Sequence, residues 1–309
     1  MKKVMLASVG LVMSSAAMAA PNMECKTVRF SDVGWTDITA TTALASTVLE
    51  GMGYEPEAKV LSVPVTYRSL KNKDIDVFLG NWMPTMEADV RPYLESGDVE
   101  SVLTNLEGAK YTLAVPQYAF DAGVTSFADI AEHSEQFDGR IYGIEPGNDG
   151  NRLIQDMIEK DAFGLGEFRL VESSEAGMLS QVGRAVRRDE WVVFLAWEPH
   201  PMNANHDLAY LEGGDDFFGP NYGGATVHTN VRKGYLNECP NVGTLLTNMT
   251  FSLTMENEVM GAILNDGEDP RDAAHAWLAN NPDVLNGWLD GVTTIDGEPA
   301  LTAVKASLK

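Results

Sequence analysis

The chain has 309 residues, with 45 Asp and Glu against 22 Lys and Arg and a formal net charge of −23 at pH 7. That balance argues against nucleic acid and anionic membrane surfaces as partners, since both repel an acidic protein. The length exceeds what one small core organises, so two lobes are expected.

The N-terminus reads as an export signal. Met1-Lys2-Lys3 is a basic start, Val4 to Met13 is apolar, and Ala17-Met18-Ala19 fits an A-x-A site, so cleavage is expected after Ala19. The apolar run is too short to span a bilayer and no other span is apparent, which predicts an exported, periplasmic protein that is not membrane-inserted. Cys25 and Cys239 are the two cysteines. They lack metal-site spacing, and in an exported protein such a pair reads first as a disulfide.

Apolar strand-like runs alternate with helix-like ones, which predicts α/β lobes with largely parallel sheets. The first strand, Val28 to Val33, leads through Gly34-Trp35-Thr36-Asp37 into a helix over Thr39 to Met52, whose apolar positions recur at helical spacing. Trp35 and Asp37 read locally in two ways: a core Trp with a helix-capping Asp, or a ring face and a counter-charge for an organic cation. A strand over Ala58 to Val63 and a helix over Thr66 to Lys71 follow. Asp76 to Leu79 is a buried strand that closes on Gly80-Asn81-Trp82-Met83-Pro84, where Trp82 either packs under a rigid turn or faces a ligand.

Lys110 to Val115 forms a strand led by Tyr111, with a core tyrosine as the plainer reading. Arg140 to Ile144 is a strand that enters a Gly- and Asn-rich turn, Glu145 to Arg152, before a helix over Leu153 to Lys160. Asn148 and Asn151 sit there as helix caps or as donors to a ligand. A helix over Gly177 to Val186 precedes the most apolar strand, Trp191 to Ala196, which ends at Trp197-Glu198-Pro199-His200-Pro201. The glycine-rich Asn221 to Thr226 stretch and a strand over Thr226 to Val231 mark a return crossing between lobes. The remainder is helical, with Trp277 and Trp288 assigned to the core.

Three tryptophans, Trp35, Trp82 and Trp197, thus fall at strand ends, where ligands sit in open α/β sheets. A convergent aromatic pocket accounts for all three, with Tyr111 as a fourth wall. Such a pocket suits a quaternary ammonium, which has no N–H to donate and spreads its charge over methyl groups. The chain lacks G-x-S-x-G and H-E-x-x-H. His133, His200, His206, His228 and His275 show no catalytic spacing. A hydrolase of choline esters or phosphocholine is therefore the minor reading, and no enzyme is expected.

Trp35-Thr36-Asp37, Gly80 to Pro84, Lys110-Tyr111-Thr112, Gly147 to Arg152 and Trp197 to Met202 resemble the periplasmic choline-binding proteins of bacterial ABC importers. These are relatives of the glycine betaine and proline betaine receptors. The resemblance covers essentially the whole mature chain, both cysteines included. It implies a two-lobed, Venus-flytrap receptor of type II that hands choline to a membrane permease, with no cofactor or metal. It also implies an aromatic box of Trp35, Trp82, Tyr111 and Trp197, with Asp37 and Asn148 at the ligand's charged and hydroxyl ends, and a Cys25–Cys239 disulfide. Residues 20–108 and 222–309 are expected to form one lobe and 109–221 the other. Choline is favoured over betaine because Asp37 repels a ligand carboxylate but accepts a hydroxyl; acetylcholine or betaine would bind more weakly. Arg152, if it points into the cleft, could hold a ligand carboxylate.

Overall fold

The computed structural model describes residues 23–309. The expected signal segment, residues 1–19, lies outside them. Nine strands form one strongly mixed sheet: β1 (Thr27–Asp32), β2 (Glu55–Val60), β3 (Val77–Met83), β4 (Val99–Pro116), β5 (Arg140–Tyr142), β6 (Arg169–Val171), β7 (Phe194–Glu198), β8 (Leu208–Tyr210) and β9 (Gly224–Arg232). The order is β2-β1-β3-β9-β4-β7-β5-β6, with β8 on β4.

The expected parallel pairing holds at the two ends of this order, where β1 joins β2 and β3, and β5 joins β6 and β7, all in parallel. It fails in the middle. There β9 runs antiparallel to β3 and β4, and β4 runs antiparallel to β7 and β8. The physical reason is the length of β4. Its 18 residues pair with β9 from Val99 to Lys110, then with β7 from Lys110 and with β8 from Ala114. One strand thus serves both parallel sets, and the returning β9 closes the first.

Buried apolar strands supply the centre of both halves: Val28 and Phe30 in β1, Val77 and Phe78 in β3, and Phe194 and Leu195 in β7 are all fully buried. The Thr36–Gly51 helix is buried along 13 of its 16 residues. It is buried on nearly every side because the Leu253–Leu264, Pro270–Asn280 and Ala300–Ser307 helices cover what the sheet does not, and its buried Thr41 and Thr47 hydroxyls donate to carbonyls of the preceding turn. Trp288 is in the core as expected, whereas Trp277 is only half-buried and donates its indole N–H to Glu258. Cys25 and Cys239 are disulfide-bonded, with Cα atoms 5.6 Å apart, tying the start of the described chain to the segment after β9.

Several boundaries shift. The strand expected over Ala58 to Val63 is Glu55–Val60, an exposed edge strand, because Val63 and Pro64 begin the next helix. The strand expected from Trp191 starts at Phe194, since Trp191 packs against Phe137 and His133 instead. Trp82 and Trp197 are the penultimate residues of β3 and β7, not the first residues beyond them.

Candidate functional site

The site forms where the ends of β1, β3, β5 and β7 meet β4. Gly34, at φ 82°, turns the chain out of β1 and sets Trp35 as the residue preceding the Thr36–Gly51 helix. Asp32 braces this turn by accepting hydrogen bonds from Gly34 N at 2.7 Å and Thr39 Oγ1 at 2.7 Å. Asp37 then falls in the helix's first turn, where the helix dipole favours an acidic side chain. It does not act as the cap. Its Oδ2 accepts the Trp82 indole N–H at 3.1 Å, and its Oδ1 is buried with no hydrogen-bond partner among the described residues.

Four rings surround that carboxylate. Trp82 lies 5.8 Å from Tyr111 at 51°, and Tyr111 lies 6.3 Å from Trp197 at 74°, centroid to centroid. The second contact follows from register, because Tyr111 and Trp197 are direct partners across β4 and β7. Trp35 donates its indole N–H to Glu145 Oε1 at 2.9 Å. Trp35, Asp37, Trp82, Tyr111, Trp197 and Ile144 line one small, tightly closed cavity. The five predicted side chains among them are each no more than 5% exposed.

Asn148 is placed differently. It does not line this cavity. Its Oδ1 accepts the Tyr111 hydroxyl at 3.1 Å and Asn151 N at 3.0 Å, so it caps the Asp149–Glu159 helix and fixes the fourth wall from behind. Gly150 is required beside it, because a Cβ there would stand 2.3 Å from the Tyr111 hydroxyl oxygen. Asn151 holds the preceding loop through Ile144 N and O and Glu145 O. Arg152 does not line the cavity; it donates to Asp89 Oδ1 at 3.0 Å and to the Thr85 carbonyl at 3.2 Å.

The electrostatics are those of buried carboxylates set close together. Burial, and then the neighbouring Glu175 charge, push the Asp37 carboxyl up to about 8 despite the Trp82 hydrogen bond. Burial likewise pushes Glu145 up to about 7. It raises Glu256 well above its ordinary value, with the Asp37 charge adding to the effect. Burial also keeps the Tyr111 hydroxyl protonated, so it is a donor. Ring faces and an under-compensated carboxylate together can bind a positively charged group that offers no N–H. Among the described residues, no group of three His, Cys, Asp or Glu could hold a metal ion.

Sequence reasoning missed Ile144, Glu145 and Glu175. Ile144 and Glu145 follow β5, the same class of strand-end position as the tryptophans, and that rule could have found them. Glu175 carries no such signal; its place is a product of tertiary packing.

A mixed sheet with two parallel ends, joined by antiparallel strands and holding a buried cavity between them, defines a two-lobed ligand-binding protein of the periplasmic substrate-binding class. Residues 26–280 match the family described as the substrate binding domain of ABC-type glycine betaine transport systems, and the chain belongs to that family. Its fold is similar to a solved ABC-transporter choline binding protein in complex with choline, at 67% identity and TM-score 0.91, covering 93% of this chain and 99% of that one. It is also similar to lactococcal OpuAC in its closed-liganded conformation with glycine betaine, at 26% identity and TM-score 0.78, covering 85% and 99% respectively. In sequence it is 65% identical over 130 residues to an uncharacterized protein, ORF1, of Chromohalobacter salexigens, covering 42% of this chain and 84% of that protein. The family and these solved relatives are transport receptors. No helix among the described residues is long and apolar enough to cross a membrane.

Proposed function

We propose that the protein captures choline in the periplasm and delivers it to the permease of an ABC importer, without chemical conversion. One observation carries this reading: four aromatic side chains and a buried carboxylate with a partnerless oxygen line a single cavity. The trimethylammonium group would sit against Trp35, Trp82, Tyr111 and Trp197, with Asp37 as counter-charge. Each ring face contributes about 0.5 to 2 kcal/mol to such a contact. Residues 1–19 would direct export and be removed by cleavage after Ala19.

A glycine betaine or proline betaine receptor is the second reading, favoured by the family description. Against it stands the acidic lining. A betaine carboxylate would meet Asp37, and Arg152, the nearby cation that could have held it, is engaged by Asp89.

We assign the described residues of 20–108, with 222–309, to one lobe and 109–221 to the other. The change of β4 partners at Lys110, opposite Gly224 at the start of β9, supports that division. Trp35, Asp37 and Trp82 then belong to the first lobe, and Tyr111, Asn148 and Trp197 to the second. A ligand touching both lobes favours the closed form by its differential affinity. A thermal-shift comparison of choline, acetylcholine, glycine betaine, proline betaine and carnitine tests the assignment. The largest stabilisation is expected with choline; a larger one with either betaine would select the second reading.

A further inference from the structure

The Thr36–Gly51 helix, which carries Asp37, begins without a side-chain cap of its own. Its first N–H is satisfied from a distant segment. Glu175 Oε2 accepts Thr36 N at 2.9 Å, and Glu175 Oε1 accepts the Thr36 hydroxyl at 2.5 Å. Glu175 is buried, and its third contact is His200 Nε2 at 3.2 Å. The histidine is buried too. Its Nδ1 accepts Met202 N at 3.0 Å, so the ring proton sits on Nε2 and is donated to Glu175. The same ring meets Trp197 edge-on, with centroids 4.9 Å apart.

One buried chain of contacts therefore runs from Trp197 through His200 and Glu175 to Thr36, the residue between Trp35 and Asp37. Glu175 supplies the acceptor that an N-terminal cap normally supplies, but only when the two halves of the site are together. Its charge also opposes that of Asp37, which makes the assembled site costly until a cation enters. We infer that Glu175, oriented by His200, is a positioning residue that locks the Asp37 helix onto the opposite lobe and makes the lock depend on a cation in the aromatic cavity. This rests on the receptor reading above, and it gives His200, enclosed by Pro199 and Pro201, a role outside ligand contact.

The test compares choline binding to wild type, Glu175→Gln, His200→Gln and His200→Leu by stopped-flow tryptophan fluorescence. Glu175→Gln should weaken affinity roughly tenfold or more, since hydrogen bonds to a charged acceptor are lost. The change should lie in the dissociation rate, with unliganded melting temperature preserved. His200→Gln, which keeps a donor at the Nε2 position, should retain more affinity than His200→Leu. A Glu175→Gln affinity within about twofold of wild type would overturn the inference, as would a loss accompanied by an equal fall in unliganded stability. Wild-type protein that ignores choline would refute the ligand assignment instead. The lock is then read with glycine betaine as the quaternary ammonium: hydrogen exchange at the Thr36 amide should slow on saturation of wild type but not of Glu175→Ala; equal slowing in both would refute it.

Discussion

Replacing Trp82 with Phe separates the two roles this residue has in the site. The phenyl ring keeps an aromatic face in the cavity but removes the indole N–H that Asp37 Oδ2 accepts at 3.1 Å. Asp37 Oδ1 already lacks a partner, so the variant would leave both carboxylate oxygens without a side-chain donor. A hydrogen bond to a charged group contributes about 1.5 to 3 kcal/mol. At about 1.4 kcal/mol per decade, choline affinity should fall roughly 10- to 100-fold. Without that bond the Asp37 carboxyl should hold its proton to still higher pH, so the loss should be larger at pH 7 than at pH 9. Titration calorimetry at the two pH values measures both effects. A Trp82→Phe affinity within about twofold of wild type at pH 7 would show that the indole does not support the counter-charge.

Removing the Trp197 side chain with Ala should cost roughly 1 to 3 kcal/mol of choline binding without unfolding the protein; normal affinity measured by calorimetry would remove Trp197 from the site. Burial, and then the Glu175 charge, raise the Asp37 carboxyl from its usual 3.8 to about 8. A proton therefore competes with the cation below pH 8, and affinity should fall on acidification from pH 8 to pH 5 by no more than about tenfold per unit for a single proton. Affinity that stays flat over this range would contradict the assignment of Asp37 as counter-charge. Replacing Cys25 and Cys239 with Ser should lower unfolding free energy by about 2 to 5 kcal/mol and leave the choline dissociation constant unchanged. A change in affinity would mean that the disulfide, whose cysteines do not line the cavity, also shapes the site.

The site was more legible in the sequence than the sheet. Aromatic residues at the ends of apolar strands are a local pattern, and Trp35, Trp82 and Trp197 could be read from it before any topology was known. Asp37 could be nominated but not assigned, because a carboxylate two residues beyond a Trp looks the same as a cap until its partners are visible. The structure gives it the Trp82 indole and no cap bond. Asn148 illustrates the reverse: the local signal of an N-cap was correct, and its tertiary bond to the Tyr111 hydroxyl was invisible. The long β4 was only half legible. Its first part, Val99 to Ala109, carries register shifts against β9 that interrupt the alternation on which strand recognition depends. Glu175 had no local signal, since its acceptor role exists only once Thr36, 139 residues away in sequence, is brought against it.

The most direct test of the proposed function is titration calorimetry of choline and glycine betaine on wild-type protein and on Asp37→Asn. The proposal predicts micromolar or tighter choline binding to wild type, far weaker betaine binding, and a preference that narrows when the carboxylate is neutralised. Betaine binding as tight as choline in wild type would contradict it.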